Sequence, residues 1–157
     1  MTRHEFQLDP ISLSRYTEQQ LVDILKSITE DADFRTDDNS VELASKVVLY
    51  SDAQTVVIEL LSRVEALYEN AKIEAESETA VRTKQHREEW EMEHPHSNKY
   101  PAATYFDKLA LHDTKTMWAE VNELHIMVKR YRNFRQNYET KINACKKLLS
   151  ALELINY

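Results

Sequence analysis

The chain has 157 residues, 42% of them hydrophobic, a formal net charge of −7, three prolines, one cysteine and no glycine. That is the size of a single domain, with enough apolar material to build a core. Without glycine there are no cheap positive-φ positions, so tight hairpins, glycine-rich phosphate loops and glycine helix caps are excluded and long helices with few turns are favoured. No run of about 20 apolar residues exists, so no membrane-spanning helix is expected. The opening MTRHEFQLDP lacks the basic-then-apolar plan of a secretory signal. The lone Cys145 has no partner for an internal disulfide and fits a reducing cytosol, the host's if the protein is viral.

The first helix signal is TEQQLVDILKSIT, where Thr17 and Gln20 make a capping box and Leu21, Ile24, Leu25 and Ile28 share one face. EDADFRTDDN then reads as an acidic connector. Asn39 with Glu42 gives a second capping box, and helical spacing runs on for some fifty residues. Val47, Tyr50, Gln54, Val57, Leu61, Val64, Tyr68, Ala71 and Ala75 alternate at three and four, which is a heptad seam. EHPHSNKYP, with Pro95 and Pro101, predicts a reversal within 93–103. A second long helix comes next, with one apolar line through Val121, Val128, Ile142 and Leu149 and another through Met117, Leu124, Tyr131, Tyr138, Cys145 and Leu152.

These patterns predict an all-α fold: a long antiparallel, coiled-coil-like helical hairpin over 39–157, preceded by a segment, 1–38, whose short helix packs near the chain-end half. Each arm is on the order of 75 Å at 1.5 Å per residue. A turn centred near 97–98 sets Tyr50 opposite Cys145, Val57 opposite Tyr138, Val64 opposite Tyr131 and Ala71 opposite Leu124. Val48, Ile58, Leu60, Leu67, Leu148, Leu154 and Ile155 lie off the seam. The short helix covers part of this surplus, and the rest predicts a homo-oligomer.

Charge is placed unevenly. Residues 1–100 carry 11 Lys/Arg against 21 Asp/Glu, and residues 101–157 carry 9 against 6. Between 127 and 147 stand Lys129, Arg130, Arg132, Arg135, Lys141, Lys146 and Lys147, with Glu139 the one acid. Tyr131 and Tyr138 fall on the seam and read as core, whereas Phe134 lies off it. Most charge runs are solvated, salt-bridged faces. The functional reading is a stripe that tracks phosphates through Lys129, Arg130, Arg132, Lys141, Lys146 and Lys147, with Phe134 placed to stack on a base. Arg135 breaks the seam itself. A guanidinium there is costly unless paired or extended to water, and the register puts Glu59 opposite, so a buried Glu59–Arg135 ion pair is expected.

The remaining chemistry is sparse. His86, His94 and His96 flank the reversal near Glu89 and Glu93, but no spacing matches a zinc motif, so no metal or other cofactor is expected. Cys145 sits on the seam as a small core residue. Glu65/Glu69 and Glu74/Glu78 resemble half of a helical magnesium cage, and the second arm offers no matching acidic pair. The protein is therefore read as no enzyme, with no small-molecule substrate.

LYS (49–51) early in a long helix, ELLSRVEALYENAKIEA (59–75), the turn's KYP (99–101) and MWAEVNELHIMVKRYRNF (117–134) before a basic end are together similar to the recombination mediators of T4-like phages. That resemblance covers residues 41 to about 150. It implies a protein that forms rings and loads recombinase onto single strands. The chain departs from it in its acidic balance, glycine-free turn and acidic N-terminal segment. Two functions are expected from these features. The first is an oligomeric accessory protein for DNA transactions, whose basic second arm binds single-stranded DNA or a DNA-processing protein. The alternative is an acidic interaction protein or inhibitor, which uses residues 18–42, Asp37 and Asp38 among them, or the hairpin tip, to occupy a partner's basic site.

Overall fold

The structure, a computed structural model, describes residues 9–30 and 38–155. It is all-α: α1 (Pro10–Leu13), α2 (Glu18–Thr29), α3 (Ser40–Glu93), α4 (Ala103–Asp113) and α5 (Lys115–Ile155), with no strand among the described residues. Both capping boxes form. The Thr17 amide donates to Gln20 Oε1 at 2.8 Å and the Gln20 amide to Thr17 Oγ1 at 3.2 Å. The Asn39 amide donates to Glu42 Oε2 and the Glu42 amide to Asn39 Oδ1, both at 2.9 Å. Each pair satisfies amides that a helix start otherwise leaves open. α1 has no counterpart in the sequence pattern; Asp9 caps it through the Ser12 amide (3.0 Å) and hydroxyl (2.6 Å), which hold its carboxyl below the usual range. Among the described residues, no helix is long and apolar enough to cross a membrane.

α3 and α5 pack against each other as the two arms of the expected hairpin, reversing through 94–102. The chain divides into two compact units, residues 1–63 with 129–157, and residues 64–128. The first unit takes in residues on both sides of 38/39, where the Asn39 capping box opens the hairpin, with Leu13, Leu21, Ile24, Ile28 and Leu43 all buried in it. There Leu43, Tyr50, Ile142 and Cys145 form one buried cluster, with Val47, Leu49, Tyr138, Leu148, Leu149 and Leu152 packed on it. Tyr50 and Cys145, expected opposite each other, thus share one cluster, while the Tyr50 ring meets Tyr138 at 6.3 Å, a residue expected opposite Val57. Leu21, Ile24 and Ile28 are buried along α2. Arg63 ties the N-terminal segment to α3: its Nη1 donates to the Tyr16 carbonyl at 2.7 Å and its Nη2 to the Leu13 carbonyl at 2.9 Å.

In this unit α3 is buried far around its circumference. Ala53, Val56, Val57 and Leu60 are all fully buried, so Leu60, off the seam in sequence, is covered. Ile58 and Val48, also off the seam, stay 44% and 43% exposed.

In the second unit the two arms are again antiparallel, about two residues from the expected pairing. Tyr68 meets His125 edge-on at 5.1 Å, and the Thr79 and Thr114 hydroxyls lie 3.0 Å apart. The second arm is not one helix, as its pattern predicted, but two joined at Thr114. Thr114 is only 2% exposed, and the Trp118 indole donates to Thr79 Oγ1 at 3.0 Å, so a small polar network is sealed beside the break. His86 Nε2 and Asp113 Oδ2 pair at 2.5 Å, which ties α3 to the end of α4.

Candidate nucleic-acid interface

Because α3 is enclosed on several sides, α5 needs to bury only a narrow line. From residue 129 onward its buried residues are Tyr131, Ile142 and Cys145, with Tyr138, Lys141, Ala144, Leu148, Leu149 and Leu152 half-buried. The rest of its circumference faces water. Lys129, Arg130, Arg132, Lys146 and Lys147 are exposed, and Phe134 keeps 38% of its surface while its ring meets Tyr131 edge-on at 6.3 Å. Arg132 and Lys146 recur two heptads apart with Glu139 midway between them. The cations wrap the open side of the helix and do not form a single line. Asn133, Gln136, Asn143 and Ser150, all exposed and polar, fill the gaps between them.

Lys141 departs from the stripe. It is half-buried, and its Nζ sits 5.4 Å from the centroid of the buried Tyr50 ring. Its charge is engaged with the core, which leaves five of the six expected stripe cations and Phe134 exposed, with Arg135 a sixth exposed cation beside them. Near the chain end, Asn143, Lys146, Lys147, Ser150, Ala151 and Leu154 line a shallow open hollow.

The expected buried Glu59–Arg135 pair is corrected. Arg135 is exposed, and Glu59 accepts from Arg63 Nε at 2.9 Å, one helical turn away on the same arm. A long guanidinium side chain can extend from a seam position to water, which removes the need for a buried partner. The i,i+4 neighbour also reaches the carboxylate without ordering a second helix.

Two of the three histidines flanking the reversal serve other contacts. His86 pairs with Asp113, and His94 stacks on Trp90 at 4.6 Å. Cys145 is fully buried; burial pushes its thiol up, Asp38 adds to the rise and Lys46 opposes it. Of the acidic N-terminal set, Asp38 is half-buried and Asp37 lies outside the described residues. Sequence reasoning missed Arg63, whose role depends on contacts some fifty residues away in the chain. It also missed the aromatic cluster at the reversal, for which Trp90, Tyr100, Tyr105 and Phe106, spaced around and between the two prolines, were a usable signal.

No protein-family model, curated protein or solved structure matches this chain, so its own residues must carry any functional conclusion.

Proposed function

We propose that this chain is a non-enzymatic helical accessory protein for DNA transactions that binds single-stranded DNA along α5. The supporting observation is the exposed set Lys129, Arg130, Arg132, Lys146 and Lys147 with Phe134 among them. Cations on an open helix face attract phosphates by releasing condensed counterions, and a partly exposed ring offers a base a stacking surface without sequence preference. The resemblance to phage recombination mediators points the same way. Self-association, through apolar side chains left outside the seam, would set several such faces along one strand.

The test is binding of the full chain to a labelled oligothymidylate across a salt series. Contacts with about four phosphates give a log–log slope near −3 on single strands. Reversing Lys129, Arg130, Lys146 and Lys147 to Glu abolishes binding if the reading is right. Phe134→Ala weakens it by about 1–3 kcal/mol while leaving the salt slope unchanged. Absence of binding at low salt would leave the face as ordinary solvated charge and favour the acidic interaction protein instead.

A further inference from the structure

The second unit leaves one side of its helix pair open. Leu67, Asn70, Ala71 and Glu74 of α3 and Met117 and Glu120 of α5 line a groove of about 190 Å³ between the two arms. Small-molecule sites are larger, roughly 300–1,000 Å³, so the groove suits a side chain from another helix. Along α3, Ala53, Leu60, Leu67, Glu74 and Val81 recur every seven residues and so share one line. Ala53 and Leu60 are fully buried in the first unit, where Arg63 holds the N-terminal segment, whereas Leu67 is 55% and Val81 46% exposed.

The charge at the groove is negative. Glu74 and Glu120 line it from opposite arms, and among the described residues neither has a basic partner. Glu123, one turn from Glu120, adds the same sign, and Glu78, one turn from Glu74, is paired with Arg82 at 2.9 Å. Lys72 and Lys115 each stand two residues from a lining position, Glu74 and Met117, which turns them about 160° away round their helices.

The first unit carries the complement. Near the end of α5, Asn143, Lys147, Ser150, Ala151 and Leu154 share one face and are all exposed, Leu154 by 77%. Lys147 and Leu154 are seven residues apart, about 10.5 Å along the helix, which is also the separation of Glu74 and Leu67. Laid antiparallel to α3, this face sets Leu154 against Leu67, Ala151 against Asn70, Ser150 against Ala71 and Lys147 against Glu74. An apolar side chain then meets the apolar end of the groove, small residues meet at its middle, and a lysine meets the two glutamates. Lys146 and Glu153, next to Lys147 and Leu154 in sequence, stand about 100° round the helix and stay outside.

We infer that this groove is the docking site for the end of α5 of a second copy of the chain. The contact is head-to-tail: each copy offers a groove and an end, and two different surfaces meet. The charges select the partner and its direction, since a reversed helix places Lys147 at Leu67 and leaves Glu74 facing Leu154. Of the cations proposed to meet DNA the contact takes Lys147 alone, and it does not rest on that reading.

The test is sedimentation of the full chain at micromolar concentration without DNA. Leu154→Glu keeps the groove and loses the end, whereas Leu67→Glu keeps the end and loses the groove. Both positions are exposed, so the helical circular dichroism stays as in the parent. Each variant alone has a lower average mass than the parent, and an equimolar mixture gains mass again, because one intact groove and one intact end remain. Glu74→Lys with Glu120→Lys lowers the mass in the same way, and mixing that variant with Lys147→Glu restores it. Glu69→Lys with Glu76→Lys, the same charge change on the far side of α3, leaves the mass unaltered. An Asn70→Cys copy and an Ala151→Cys copy, mixed with oxidised glutathione, give a one-to-one disulfide-linked dimer that neither gives alone. A monomeric parent overturns the proposal, as does a Leu67→Glu and Leu154→Glu mixture that stays apart. So does a charge reversal that Lys147→Glu fails to rescue, or an Asn70→Cys copy that links to itself as readily, which would make the contact symmetric.

Discussion

Arg63 shows how one side chain fixes the start of the chain. Its guanidinium commits three donors to two carbonyls of the N-terminal segment and to Glu59, a planar fork that a lysine does not reproduce. Arg63→Ala is expected to cost about 2–4 kcal/mol, read by urea denaturation, since it leaves the Leu13 and Tyr16 carbonyls without their charged donor. Arg63→Lys should recover less than half, and limited proteolysis should cut the alanine variant first near residues 13–17. A second consequence is alkaline sensitivity. Burial raises the Tyr131, Tyr138 and Cys145 side chains above their ordinary values of 10.0, 10.0 and 9.0. Groups raised in the folded state favour folding while protonated and lose that contribution as pH climbs past the unfolded values, because the unfolded chain ionises first. Stability is therefore expected to hold to about pH 8.5 and decline through pH 9–11. Cys145→Ala should lower stability at every pH but flatten the first part of that decline, which paired urea titrations at pH 8 and pH 10 would show.

At the scale of elements, the informative feature is the junction of α4 and α5. Thr114 is buried, its hydroxyl lies 2.8 Å from the Ala110 carbonyl, and Thr79 Oγ1 both accepts from Trp118 and lies 2.6 Å from the Ala75 carbonyl. Two hydroxyls and an indole thus satisfy one another where the second arm changes from one helix to the next. Thr79→Val, nearly isosteric, should cost about 1–3 kcal/mol by leaving the Trp118 donor unmatched in a part-buried site. Trp118 fluorescence should shift to the red if water replaces the hydroxyl. Retained stability and an unchanged spectrum would show that the junction is held by packing alone. Nothing in the local pattern warns of this break: Thr114 sits in a helical stretch without proline or glycine, and only its partner on α3 identifies it.

For the whole molecule, the question raised by the sequence is what covers its surplus apolar surface. Leu60 is fully buried and Leu148 half-buried, so the fold uses part of that surplus. Leu67, Leu154 and Ile155 remain 55%, 77% and 77% exposed, and Val41, on no predicted seam, is 77% exposed. Water-exposed side chains of this size on long helices favour association of copies. Light scattering at micromolar concentration is expected to report more than one chain. Val48→Glu with Ile58→Glu should move the mass toward the monomer while keeping the helical circular dichroism. A monomeric parent would remove the oligomer and, with it, the cooperative form of strand binding.

The sequence by itself determined the helical class, both capping boxes, the place of the reversal and the antiparallel pairing of the two arms. Each of these is written in local spacing or in residues with fixed backbone preferences: heptads, side-chain caps, prolines and the total lack of glycine. Tertiary structure decided what local spacing does not encode. Lys141 and Arg135 look alike in the charge run, yet one lies over the Tyr50 ring and the other reaches water. Their environments are set by residues some ninety positions away and by how far neighbouring helices enclose each side of the seam. The same holds for Glu59, whose partner changed from the facing arm to its own helix because the nearer guanidinium loses less conformational entropy in reaching it. The aromatic surface at the tip is likewise a product of the reversal, which folds Tyr100 and Phe106 back onto Trp90.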